Sequence, residues 1–62
     1  MMEASKLKAA MREQGITYRE LAERSGVSVS TISLMLNHER DVQLSNFKRV
    51  CKVLGIDPKE VW

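Results

Sequence analysis

Residues 17–37 read TYRELAERSGVSVSTISLMLN, and this stretch decides the fold. Apolar or small residues at Tyr18, Leu21, Ala22 and Ser25 recur at the spacing that lines one face of a helix. Thr17 precedes them and can cap that helix, with Glu20 completing a capping box. Gly26 stands where the helix must stop, because glycine enters the left-handed C-cap conformation without a Cβ penalty. Ser28 can cap a second helix running to about Leu36 or Asn37, with Ile32, Met35 and Leu36 on its inner face. Ala22 is small where the two helices should cross, so their backbones can approach closely.

Outward from this pair, the same periodicity continues. Ala4, Leu7, Ala10 and Met11 predict a first helix over about 4–14, closed by Gly15, with Ile16 plugging the core before Thr17. Residues 37–42, NHERDV, predict a polar loop after the third helix. Leu44, Phe47, Val50, Cys51 and Leu54 form the inner stripe of a fourth helix over about 44–54, closed by Gly55. Phe47 is the expected largest core anchor. Asp57-Pro58 is an N-cap followed by proline at the first helical position, which launches a last helix to Trp62. Leu36 and Met11 are expected to touch. The predicted fold is all-α: one domain over 1–62, a compact bundle of five short helices containing a helix-turn-helix at 18–37, a motif that places its second helix in the DNA major groove.

Composition narrows the function. A chain of 62 residues sits near the lower edge of independent folding, where helical packing can suffice without staples. One cysteine, Cys51, rules out an intramolecular disulfide framework and fits a reducing compartment, so a cytoplasmic location is expected. Cys51 lies on the inner stripe and is expected to pack as a small hydrophobe. His38 has no second ligand at metal spacing, and no paired carboxylates or phosphate-cradling glycine loop occurs. The expectation is therefore no enzyme, no metal, no cofactor and no small-molecule substrate. No apolar run approaches the ~20 residues of a membrane span, and the N-terminus lacks the apolar core of a signal peptide.

Net charge is only +2, but its distribution matters more than its total. Lys48, Arg49 and Lys52 cluster, whereas Ser25 to His38 holds no Lys, Arg, Asp or Glu. An uncharged helix flanked by basic segments suits a groove reader with phosphate clamps beside it; a plain solvated surface fits equally. Steps of about 100° per residue put Ser30, Ser33 and Leu34 opposite the core, with Val29 on the flank. Serine bonds several bases with little discrimination, while valine and leucine can touch only a thymine methyl or another apolar surface. Tyr18 and the N–H groups of its helix start can bind a phosphate, as can Arg19 beside it.

The segment resembles the helix-turn-helix of the phage Cro/repressor (XRE-type) family. The matching residues are Leu21, Ala22, Gly26, Val27, Ile32 and Met35, within ELAERSGVS followed by STIS, and KVLGID resembles the end of the family's fourth helix. The sequence departs from the family pattern at Tyr18, usually glutamine, at Ser25, usually apolar, and at Val29 and Leu34, commonly polar or basic. The resemblance implies a DNA-binding regulator acting on double-stranded operator DNA. It also implies backbone contacts by Tyr18, Asn37 and Arg40, the last of which can instead pair with Glu39 or Asp41, and a dimer contact in the C-terminal region, here Ile56, Val61 and Trp62.

Two functions follow. In the first, the chain is a sequence-specific regulator similar to a small phage repressor or Cro, binding as a weak homodimer. Val29, Ser30, Ser33 and Leu34 read bases, and Tyr18, Arg19, Asn37 and Arg40 hold the backbone, with the fourth-helix cations as further clamps. In the second, it is a helical protein-interaction module, antitoxin-like or part of a larger protein, whose Val29/Leu34 face binds a partner.

Overall fold

Capping chemistry sets the helix boundaries. In the computed structural model, which describes residues 2–40 and 42–62, the helices are α1 (Ala4–Gln14), α2 (Tyr18–Ser25), α3 (Val29–Ser33), α4 (Leu44–Leu54) and α5 (Pro58–Val61). No strand occurs among the described residues, and the all-α expectation is the observed fold. Thr17 Oγ1 accepts the Glu20 N–H at 3.1 Å, and Glu20 Oε1 accepts the Thr17 N–H at 3.2 Å. This box satisfies donors that a helix start leaves without intrahelical partners. The Thr17 backbone N–H, followed by its hydroxyl, holds the Glu20 carboxyl below the usual range. Ser28 Oγ accepts the Thr31 N–H and the Asp57 carboxylate accepts the Lys59 N–H, opening α3 and α5 as expected. Gly26 has φ 76°, and a Cβ there would meet nothing nearer than Arg49 Nη1 at 3.9 Å. Glycine is needed at that turn for the backbone angle, not for room.

The third helix departs from expectation. It is α-helical only to Ser33, then runs directly into a π-helical turn, Leu34–His38. The Glu39 N–H donates to the Leu34 carbonyl, and the Arg40 N–H reaches the same oxygen at 3.3 Å. The wider turn still keeps the consecutive Met35 and Leu36 in the core, at 1% and 2% exposure. The chain leaves it through Glu39, a non-glycine residue at φ 49°, a left-handed conformation that costs roughly 1–2 kcal/mol for an L-residue. Asn37 and His38 therefore belong to a helical turn, not to the polar loop expected from residue 37.

The core contains Phe47, fully enclosed, in one cluster with Leu7, Leu21, Ile32, Val50 and Cys51 among others; among the described residues no polar or charged one is buried with them. Met2 and Val27 join this core, which periodicity alone did not indicate. Leu44 does not. It is 53% exposed because it begins α4, one turn ahead of Phe47. Burial, and then the nearby Asp57 charge, pushes the Cys51 thiol up to about 11, so it packs as an inert hydrophobe.

Packing of elements places the candidate site. α1 packs against the π turn, α4 and α5, and Met11 and Leu36 are both buried in the shared core. The Gln14 amide donates to the Leu54 carbonyl at 2.8 Å, tying α1 to the C-terminus of α4. The Glu3 N–H donates to the Val61 carbonyl at 2.6 Å, closing α5 onto the start of α1. α2 packs closely against both α3 and α4.

Candidate nucleic-acid interface

The residues expected to read bases lie at or near the surface of the third helix. Val29 and Leu34 are 44% and 40% exposed, Ser30 is exposed and Ser33 is half-buried. Side chains of this kind offer short hydroxyls and apolar contact, with no long amide or guanidinium able to bond a base edge twice. Among the described residues, Val29 and Leu34 are two of four large apolar side chains left exposed; the others are Leu44 and Trp62.

A hydrogen-bonded unit closes one end of this face. Asn37 Nδ2 donates to Tyr18 Oη at 3.2 Å and to Ser33 Oγ at 3.3 Å. It joins the first residue of α2 to the far end of the third helix, 19 residues on in the chain. Both hydroxyls act as acceptors in these bonds, so each keeps its own proton to donate outward. The half-buried Tyr18 ring fixes the phenol while its hydroxyl stays at the surface. Two of the expected backbone-contact residues, Tyr18 and Asn37, are brought together in this way, and Arg19 is exposed next to them.

Arg40 is exposed in the loop beyond the π turn. It forms no ion pair with Glu39, and a pairing with Asp41 lies outside the described residues. The opening of α4 supplies donors that the sequence reading did not list. Its N-cap, Gln43, makes no side-chain capping bond, and among the described residues no side chain accepts from the first-turn N–H groups of α4, which can receive an anion. The only signal in the sequence was Gln43, in place of Ser, Thr, Asp or Asn, directly before Leu44.

The fourth-helix cations divide. Lys48 lines an apolar depression of about 350 Å³ together with Leu44, Phe47, Pro58, Lys59 and Trp62. Arg49 and Lys52 instead join Arg24, Ser25 and Val53 around a separate depression of about 460 Å³ between α2 and α4. Arg49 Nη1 stands 3.9 Å from where a Gly26 Cβ would lie, at the turn that leads from α2 towards α3.

The expected dimer segment also divides. Val61 is 2% exposed and belongs to the chain's own core, whereas Ile56 is half-buried and Trp62 is 51% exposed. The Trp62 ring meets Phe47 edge-on, with centroids 5.0 Å apart and planes at 60°. The apolar surface left at this end is Trp62 with Leu44, and Leu44 is a residue the sequence reading assigned to the core.

Among the described residues no three His, Cys, Asp or Glu side chains gather as metal ligands, and His38 is exposed in the π turn. No helix is long and apolar enough to cross a membrane. Compared with models of protein families, residues 7–61 match the family described as helix-turn-helix. No curated protein matches the chain.

Proposed function

Because the chain belongs to the helix-turn-helix family of Cro/repressor (XRE) type, we propose that it is a sequence-specific transcriptional regulator that binds a near-palindromic operator as a dimer in the bacterial or phage-infected cytoplasm. The observation that carries this reading is the Tyr18–Asn37–Ser33 unit. It presents hydroxyl protons to phosphate oxygens at one edge of an exposed, uncharged helix face, the arrangement that fixes a protein's register on a duplex. Arg19, Arg40 and the first turn of α4 add positive charge and donors around it. Val29, Ser30, Ser33 and Leu34 then face the major groove, where thymine methyls are the natural partners of the two apolar side chains.

The dimer forms through Trp62 and Leu44, with Ile56 at its edge, because these side chains are left uncovered at the α4–α5 end. Val61 supports the contact from beneath as part of the core. A patch this small implies a weak dimer in solution that DNA tightens by holding two copies on adjacent half-sites.

Binding-site selection from a random duplex library, followed by affinity measurement at two salt concentrations, tests the proposal. A steep salt dependence with a retained sequence preference is expected. If no duplex binds at low salt, the exposed Val29/Leu34 pair is a protein-contact face instead, as in an antitoxin-like interaction module.

A further inference from the structure

The depression between α2 and α4 has no part in the reading just given. Three cations line it: Arg24 from the end of α2, and Arg49 and Lys52 from successive turns of α4. Arg24 has one exposed carboxylate neighbour, Glu20, at 4.0 Å, and neither Arg49 nor Lys52 forms an ion pair among the described residues. The half-buried Val53 adds an apolar side chain to the same lining. Part of this arrangement serves the fold, since cations near Gly26 complement the negative end of the α2 dipole. Helix complementation alone does not call for three cations converging on a concave, partly apolar surface.

We infer that the Arg24/Arg49/Lys52 groove, between α2 and α4, is a docking site for an acidic, leucine- or valine-bearing segment of a partner protein. Charge complementarity names the sign of the partner, and Val53 in the lining asks for an apolar side chain among its carboxylates. A second duplex fits poorly. The whole domain measures 25 × 21 × 18 Å, and a depression of about 460 Å³ on it takes one or two side chains, not the broad phosphate surface of a double helix. A second copy of the chain fits poorly too, because it would have to present a matching acidic patch, and net charge is +2. None of Val29, Ser30, Ser33 and Leu34 lines the groove, so it stays open while the reading face is occupied.

The test uses the full chain and a fluorescein-labelled peptide of alternating glutamate and leucine, read by fluorescence anisotropy, with a lysine-for-glutamate peptide and a leucine-free polyglutamate as controls. The peptide should bind better than either control. Arg49→Gln with Lys52→Gln should weaken it about five- to tenfold, the range expected from removing two partly exposed charge pairs. Arg40→Gln, as an equal loss of charge per site elsewhere, should leave peptide affinity nearly unchanged. With an operator-length duplex as second probe, the Arg49/Lys52 variant should hold its affinity within about twofold near physiological salt, where the Debye length is ~8 Å. Peptide and duplex should also bind one chain together.

Three results would overturn the inference. The peptide could bind the variant as tightly as the parent, leaving only a lowered unfolding midpoint to mark a structural role. It could be displaced by the duplex, which would place it on the reading face. Or the duplex could lose as much affinity as the peptide, which would make the groove a phosphate site. The peptide measurements stand even if the chain binds no duplex.

Discussion

Leu34 and Leu36 lie in the same π turn, two positions apart, and the structure assigns them opposite work. Leu36 is 2% exposed in the core; Leu34 is 40% exposed on the outer face. Replacing either by alanine removes the same atoms and changes helix propensity alike, so the pair isolates burial. Leu36→Ala should cost about 2–5 kcal/mol, the range for a leucine removed from a packed interior. A 62-residue domain holds roughly 3–9 kcal/mol at the usual stability per residue, so this single change takes up much of the total. Leu34→Ala gives up only a partial burial, about 1 kcal/mol. Urea unfolding followed by circular dichroism should therefore separate the two midpoints by about 1 M or more, given a slope near 1 kcal/mol/M for a small domain. If Leu36→Ala leaves no folded baseline, Leu36→Met keeps the volume and should cost less than about 1.5 kcal/mol. A loss below roughly 1 kcal/mol for Leu36→Ala, or a larger loss for Leu34→Ala, would show that the phase of the π turn is wrong, and with it the assignment of the reading face.

Three further outcomes are expected. Arg40→Ala should weaken specific and non-specific duplexes alike and lower the salt slope by about 1 per half-site, whereas Leu34→Ala should spare the slope and cost about 1–3 kcal/mol on the preferred operator, most at a T·A pair. Competition against operators substituted one base pair at a time decides between those roles, and unchanged preferences in Leu34→Ala would remove that face from base reading. Trp62→Ala should abolish concentration-dependent sedimentation while leaving the helical signal intact; a dimer that persists would move the interface elsewhere. Cys51 ionises in the folded protein only near pH 11, above its value in the unfolded chain, so its contribution is whole below about pH 9 and lost as pH rises through that window. The parent should lose stability there more steeply than Cys51→Ala, and parallel pH profiles would contradict the burial of the thiol.

Local chemistry made most of the fold legible. The Thr17/Glu20 box, the Ser28 cap and Asp57-Pro58 are each read within four residues, and the helices they open begin where the sequence indicates. The inner stripe from Phe47 to Leu54 was equally plain, because a period of about 3.6 residues declares itself in one short window. The π turn was hidden by that same tool, since stepping at about 100° assumes the α-helical rise throughout. Neighbours were hard to separate: Val61 goes to the core and Trp62 to the surface, which depends on how α5 closes against α1 and α4. The candidate site followed the same division. Exposure of Val29, Ser30 and Leu34 was within reach of phase arguments, but the Asn37–Tyr18 bond joins two helices across 19 residues. The grouping of Arg24 with Arg49 and Lys52 needed the α2–α4 packing, whereas the sequence offered only the proximity of Lys48.

The π turn carries a consequence for how such a protein can change its target. An i to i+5 turn contains one residue more than an α-helical turn requires. In this chain the surplus lies in the turn that runs from Leu34, the last of the proposed readers, past Asn37, the residue that anchors the helix end to Tyr18. Loss of one residue there would restore ordinary α-helical pairing and turn the two parts against each other by about 100°. The face offered to the groove would then be aimed differently relative to the phosphate anchor, with every reading side chain kept. Here length, and not only the identity of side chains, is a heritable setting for which operator is chosen.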